Sequence, residues 1–105
     1  MTLKPKEAQI QKVILQWLSL QKGTFSFRTN NIGVPMQNGG FRPSPVKGLH
    51  DILCCKNGRF IALEVKAPGG KLSKNQKRFL ESVESSGGVA AVVTSLEEVQ
   101  KMFLI

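Results

Sequence analysis

The segment Lys47-Gly48-Leu49-His50-Asp51-Ile52-Leu53-Cys54-Cys55-Lys56-Asn57-Gly58-Arg59-Phe60-Ile61-Ala62-Leu63-Glu64-Val65-Lys66 decides how the rest of the chain is read. Two runs rich in Ile, Leu, Val and Phe flank Asn57-Gly58, the strongest short-range signal for a two-residue type I′ turn, so the segment predicts a β-hairpin. The turn fixes the pairing: Ile52 faces Leu63, and Asp51 faces Glu64. Side chains alternate across a strand, which puts Asp51, Glu64 and Lys66 on one face and Ile52, Ile61, Leu63 and Val65 on the other. Two carboxylates directly opposite one another are unfavourable by roughly 0.2–1 kcal/mol on the cross-strand scale. A cation between them relieves that cost. Mg²⁺ is typically held by one or two carboxylates, with waters and substrate phosphate completing its octahedron. A solvated charged face in which Lys66 neutralises one acid accounts for the same spacing.

The chain has 105 residues, 41% hydrophobic and 21% charged, which predicts a single domain over 1–105 with a modest core. Fifteen Lys and Arg against seven Asp and Glu give a net charge of +8, pointing to a polyanionic partner, nucleic acid before acidic membrane. The cations are spread along the chain, which suits neutralisation of a phosphate backbone better than a localised tail. No stretch approaches the roughly 18 apolar residues of a membrane helix, and the N-terminus lacks a signal-peptide core, so a soluble intracellular protein is expected. Adjacent Cys54 and Cys55 point to opposite faces of a strand, which argues against a disulfide between them, and no second pair exists for zinc.

Pro5 and Glu7 open a predicted helix whose apolar residues Ile10, Val13, Ile14, Trp17 and Leu18 recur at helical spacing, with Gly23 ending it. Glu7 extends the buried stripe at its N-terminal end by the same spacing, while the helix dipole alone also favours an acid there. Phe25 to Asn30 alternates as a strand, with Phe25 and Phe27 on one side, and Ile32 to Val34 is its continuation or a short partner. Met36 to Lys47, with Gly39-Gly40, Pro43, Pro45, Arg42 and Lys47, reads as a long loop, either suited to gripping a phosphate backbone or a disordered connection.

Ala67-Pro68-Gly69-Gly70 stops the hairpin's second strand. Ser73 and Gln76 form a capping box that opens a second helix with Phe79, Leu80 and Val83 inward, ended by Gly87-Gly88. Gln76 lies on the inward face, so cap partner and site residue are both open to it. Lys71, Lys74, Lys77 and Arg78 crowd the first turns against the helix dipole, which is better explained by an external anion than by helix stability. Val89 to Thr94 predicts a buried strand. Ser95 with Glu98 forms a second capping box opening a last helix through Val99, Met102 and Phe103, and the apolar end Met102-Phe103-Leu104-Ile105 must pack on the core or on another subunit.

These residues carry a resemblance. Asp51 followed, after twelve residues, by Glu64-Val65-Lys66 resembles the PD-(D/E)XK nuclease pattern. Glu7, Lys47-Gly48-Leu49-His50-Asp51, Glu64-Val65-Lys66 and Gly70-Lys71-Leu72-Ser73-Lys74-Asn75-Gln76 together resemble the virus-type replication–repair nuclease (VRR-NUC) family in its stand-alone phage form. The resemblance implies an α/β fold with a restriction-endonuclease-like αβββαβ core, a mixed sheet flanked by helices. It implies Mg²⁺- or Mn²⁺-dependent hydrolysis of phosphodiester bonds in branched DNA, similar to a Holliday-junction resolvase, by a homodimer in the cytoplasm of a bacterial host. Asp51, Glu64 and the Val65 carbonyl are the implied ligands, and Glu7 supports the metal or its water shell. Lys66 holds or deprotonates the attacking water, and Gln76 orients Lys66 or touches a phosphate. Arg42, Lys47, Lys71, Lys74, Lys77 and Arg78 are the implied DNA contacts. His50 stands where the pattern usually has Pro, and the hairpin alternation points it away from Asp51 and Glu64. A non-catalytic nucleic-acid-binding module, or a nuclease for flaps, single strands or RNA, is the alternative.

Overall fold

The Asn57-Gly58 turn forms as its chemistry dictates, with both residues at positive φ, 51° and 84°. The computed structural model describes residues 6–29, 34–35, 41–42 and 51–103. The elements are α1 (Glu7–Ser19), β1 (Thr24–Arg28), β2 (Val34–Pro35), β3 (Phe41–Arg42), β4 (Ile52–Lys56), β5 (Arg59–Val65), α2 (Lys74–Ser85), β6 (Val89–Val93) and α3 (Leu96–Phe103). Strands β1, β4, β5 and β6 form one sheet in that spatial order, and β2 pairs with β3 separately. The hairpin strands β4 and β5 run antiparallel with Ile52 opposite Leu63 and Lys56 opposite Arg59, the register that the turn predicts. β1 is antiparallel to β4, and β6 is parallel to β5, so the sheet is mixed. The β5–α2–β6 segment is the crossover that a parallel pair requires.

One sheet face carries the core. Ile10, Ile14 and Leu18 of α1 and Val99 of α3 pack on Ile52, Cys54, Ile61, Leu63, Val65 and Val93. Helix α2 lies on the opposite face, where Gln76 reaches Glu64 and Val83 meets the strand β6 entrance at Gly88. β5 is therefore covered on both sides, and every residue from Ile61 to Val65 is buried. The expected alternation of a half-buried hairpin gives way to a central strand.

Several expectations need correction. Val13 is 45% exposed although it shares the apolar spacing of α1, because the buried line runs through Ile10, Ile14 and Leu18. Glu7 is exposed rather than an extension of that line, since the first turn of α1 projects past the packed stripe. The Met36–Lys47 loop is interrupted by β3, which pairs with β2 at Val34–Pro35. In α3 the Ser95 hydroxyl caps Glu98 N–H at 3.3 Å, but the Glu98 carboxylate accepts from the N–H and hydroxyl of Thr94 instead of closing the box on Ser95. Cys54 is buried and Cys55 exposed, on the opposite faces expected. No helix among the described residues is long and apolar enough to cross a membrane.

Candidate metal and nucleic-acid site

Asp51 stands one residue before β4, and the register carried one step onward sets it opposite Glu64. It is tied to both neighbouring strands. Its carbonyl accepts the N–H of Thr29 at 2.8 Å and the Thr29 hydroxyl at 3.2 Å, at the end of β1. Its carboxylate Oδ2 accepts the N–H of Val65 at 3.0 Å, at the end of β5. Asp51 is thus held by its main-chain carbonyl toward β1 and by its side chain toward β5, where the main-chain ladder between β4 and β5 stops.

Glu64 is the decisive residue. Its side chain is only 2% exposed, on a central strand beneath α2. Oε1 accepts from Gln76 Nε2 at 2.6 Å and lies 3.5 Å from Lys66 Nζ. Oε2 is buried and has no hydrogen-bond partner. A buried carboxylate oxygen without a partner is costly, and this half of the group is left open to a ligand. Burial pushes the Glu64 carboxyl up to about 7, and the nearby Asp51 charge adds to that rise, against the opposing pull of Lys66.

Gln76 fills both roles its position left open. Its Oε1 accepts from Ser73 N–H at 2.8 Å, closing the capping box with the Ser73 hydroxyl, which accepts from Gln76 N–H at 3.1 Å. Its Nε2 is then free to donate to Glu64. The cap fixes which end of the amide faces the carboxylate, so Ser73 positions Glu64 through one intermediary. The Gln76 amide thus meets the acid at the same Oε1 that Lys66 Nζ approaches.

Lys66 is held from the other side. Gly70 N–H donates to the Ala67 carbonyl at 2.9 Å, closing a turn with Pro68 at its second position and Gly69 at φ +88° in its third, a type II arrangement. A β-carbon on Gly70 would sit 3.1 Å from the Ala67 carbonyl and 3.3–3.4 Å from the Lys66 side chain. The turn therefore lays glycine against the lysine stem.

Asp51, Glu64, Lys66 and Gln76 are brought together. Glu7 stands at the rim: exposed, with Oε1 accepting from Ala67 N–H at 3.4 Å. Among the described residues no three His, Cys, Asp or Glu side chains form a metal-binding group. Lys71, Lys74, Lys77 and Arg78 are exposed, around the turn of α2 that carries Gln76. Arg42 lies on β3, and Lys47 and His50 fall outside the described residues. Sequence reasoning missed Thr29 as the anchor of Asp51 and Gly70 as the support of Lys66. The alternation of β1 contained the first signal, but nothing local sets its register against β4.

Residues 47–97, just under half of the chain, match the family model of the VRR-NUC domain. Over that segment the chain is similar to the VRR-NUC family. A solved structure described as a VRR_NUC domain protein is similar over 97% of this chain and 88% of its own, with 18% sequence identity and a TM-score of 0.67. At that identity the likeness concerns the fold, a four-stranded mixed sheet with flanking helices in the restriction-endonuclease-like manner. Comparison with curated proteins gives no match. The VRR-NUC family is a nuclease family, so nucleic acid is the substrate class it brings, and the matched segment runs from the hairpin through the Glu64–Gln76 tie.

Proposed function

We propose that this VRR-NUC chain is a metal-dependent, structure-selective DNA endonuclease, with Asp51 and Glu64 as the ligands of Mg²⁺ or Mn²⁺. The observation that carries the reading is the buried Glu64 Oε2 without a partner, beside Asp51 and beneath a helix turn rich in cations. Two hard carboxylate donors and no third acidic or His ligand among the described residues suit the Mg²⁺ habit of keeping waters and taking substrate phosphate as further ligands. The Val65 carbonyl is a neutral oxygen at the same strand end. When bound, the ion supplies Lewis-acid polarisation of the phosphate and acidifies a neighbouring water.

The chain's own residues do the rest. Gln76 and Lys66 hold Glu64 Oε1, which leaves Oε2 for the ion. Lys66 Nζ holds the attacking water or accepts its proton, and offsets charge developing on the phosphate. Glu7, at the strand's end, supports the water shell. Lys71, Lys74, Lys77, Arg78, Arg42 and Lys47 neutralise backbone phosphates. Cutting two opposed strands of a branched DNA takes two sites, which a homodimer provides.

Purified protein with labelled four-way junction, flap and linear duplex, with MgCl₂ or chelator, tests this. Cleavage of a branched substrate that disappears with chelator and in both Asp51→Ala and Glu64→Ala is expected. Cleavage that survives either substitution, or none on any substrate, refutes the assignment.

A further inference from the structure

Three of the chain's six phenylalanines share one stretch of sheet surface in the open. Phe25 is 68% exposed, Phe27 46% and Phe60 45%. Register places them on the face that carries the acid pair. Phe27 lies opposite Leu53, which lies opposite Ala62; Phe25 lies opposite Cys55, which lies opposite Phe60. Ala62 is two residues from Glu64, and Leu53 two from Asp51, so all share its side of the sheet. The rows Ala62–Leu53–Phe27 and Phe60–Cys55–Phe25 therefore continue the Glu64–Asp51 row at steps of about 7 Å. Helix α2 packs on β6 and reaches Glu64 through Gln76, while Phe25 and Phe27 on β1 and Phe60 at the start of β5 stay exposed.

Single exposed apolar residues need no explanation, but a contiguous aromatic face next to a site does. The Phe25 and Phe27 rings have centroids 5.8 Å apart and planes tilted by 60°, so they do not stack on one another. Charge selects the occupant. The chain carries +8, and α2 with the segment leading into it exposes Lys71, Lys74, Lys77 and Arg78 beside this face, which favours a polyanion here over a second copy's equally basic face. A polyanion that also offers flat apolar surfaces is a nucleic-acid strand with unpaired bases, whereas a continuous duplex hides its base faces in the stack.

We propose that Phe25, Phe27 and Phe60 form a stacking platform for unpaired bases of a DNA strand, adjoining the Asp51–Glu64 site. The proposal rests on the nuclease reading for the site that the strand reaches. It makes the recognised feature the unpaired segment of a branched substrate, not its paired arms.

Fluorescence anisotropy with a labelled 15-nucleotide single strand and a labelled blunt duplex, in chelator at one fixed salt concentration, tests it. The Phe25→Ala/Phe27→Ala variant is expected to weaken single-strand binding at least tenfold and leave duplex binding within about twofold, on the scale of one lost stacked base. Phe25→Leu/Phe27→Leu, which keeps apolar bulk without rings and guards against misfolding, is expected to bind as weakly, and Phe25→Tyr/Phe27→Tyr to bind as the parent does. Equal loss for both DNAs, or parental single-strand binding by the Leu variant, overturns the platform. So does sedimentation showing that the substitutions dissociate a dimer and that affinity follows assembly. Ring-dependent single-strand binding by a protein that cleaves nothing with Mg²⁺ refutes the nuclease reading alone. Metal-dependent cleavage without ring-dependent binding refutes the platform alone.

Discussion

Replacing Glu64 by Gln is expected to stabilise the metal-free protein while abolishing metal binding, and the gain is expected to depend on pH in a set direction. In the unfolded chain the carboxyl titrates near 4.5; in the fold, burial and the Asp51 charge raise it to about 7. Between these values the folded state holds a proton that the unfolded state has released, so stability falls as pH rises through that window. At about 1.4 kcal/mol per pH unit the loss across it is about 3 kcal/mol. The amide has no charge to bury, and it keeps an oxygen to accept from Gln76 Nε2. The stability difference between Glu64→Gln and the parent should rise from below about 1 kcal/mol at pH 5 to about 3 kcal/mol at pH 8. For a chain of this size that is on the order of 10 °C or more in Tm. Thermal unfolding by circular dichroism at pH 5, 6, 7 and 8, in chelator, measures it. Adding MgCl₂ at pH 8 should then stabilise only the parent, because a ligand of the folded state shifts the equilibrium by mass action. A difference that is flat with pH, or a parent that is the more stable protein at pH 8 without metal, refutes the account of Glu64.

The other predictions follow from the same geometry. Calorimetric Mg²⁺ affinity should rise about tenfold per pH unit up to about 7 and level off above it, since the ion must displace the Glu64 proton. Ser73→Ala should cost about 1 kcal/mol of helix capping by removing the hydroxyl that accepts from Gln76 N–H, but leave cleavage per folded molecule unchanged, because the Ser73 main-chain N–H that holds Gln76 Oε1 remains; Ser73→Asp should restore the stability, as a denaturation curve run beside a cleavage assay would show. Gly70→Val should reduce cleavage more than stability, because its side chain meets the Lys66 stem and the Ala67 carbonyl. Gly58→Ala should destabilise the hairpin by about 1–2 kcal/mol through its positive φ with cleavage per folded molecule unchanged, as urea titration would show.

What was legible in the chain was local. Asn57-Gly58 dictates its turn through two backbone angles, and once the turn is set the facing of Asp51 and Glu64 follows by counting. Ser73 and Gln76 announce a helix start by hydrogen bonds that close within four residues. The α1 stripe was read with one error, Val13, because spacing gives the direction of a face and not how much of it the sheet can cover. Glu7 was misplaced for the same reason.

The sequence by itself determined the hairpin and its register, the cap of α2, and the shared face of Asp51, Glu64 and Lys66, since each depends on residues close along the chain. Tertiary structure decided what those residues became. α2 folding over β5 turned a pair of facing acids into a buried carboxylate with one oxygen held by Gln76 and one left over. The β1–β4 pairing, set by no local turn, anchored Asp51 through Thr29 and ranged Phe25 and Phe27 beside the acids. Burial, and with it the raised pKa of Glu64, comes from packing between segments distant in the chain, and no count along the sequence carries it.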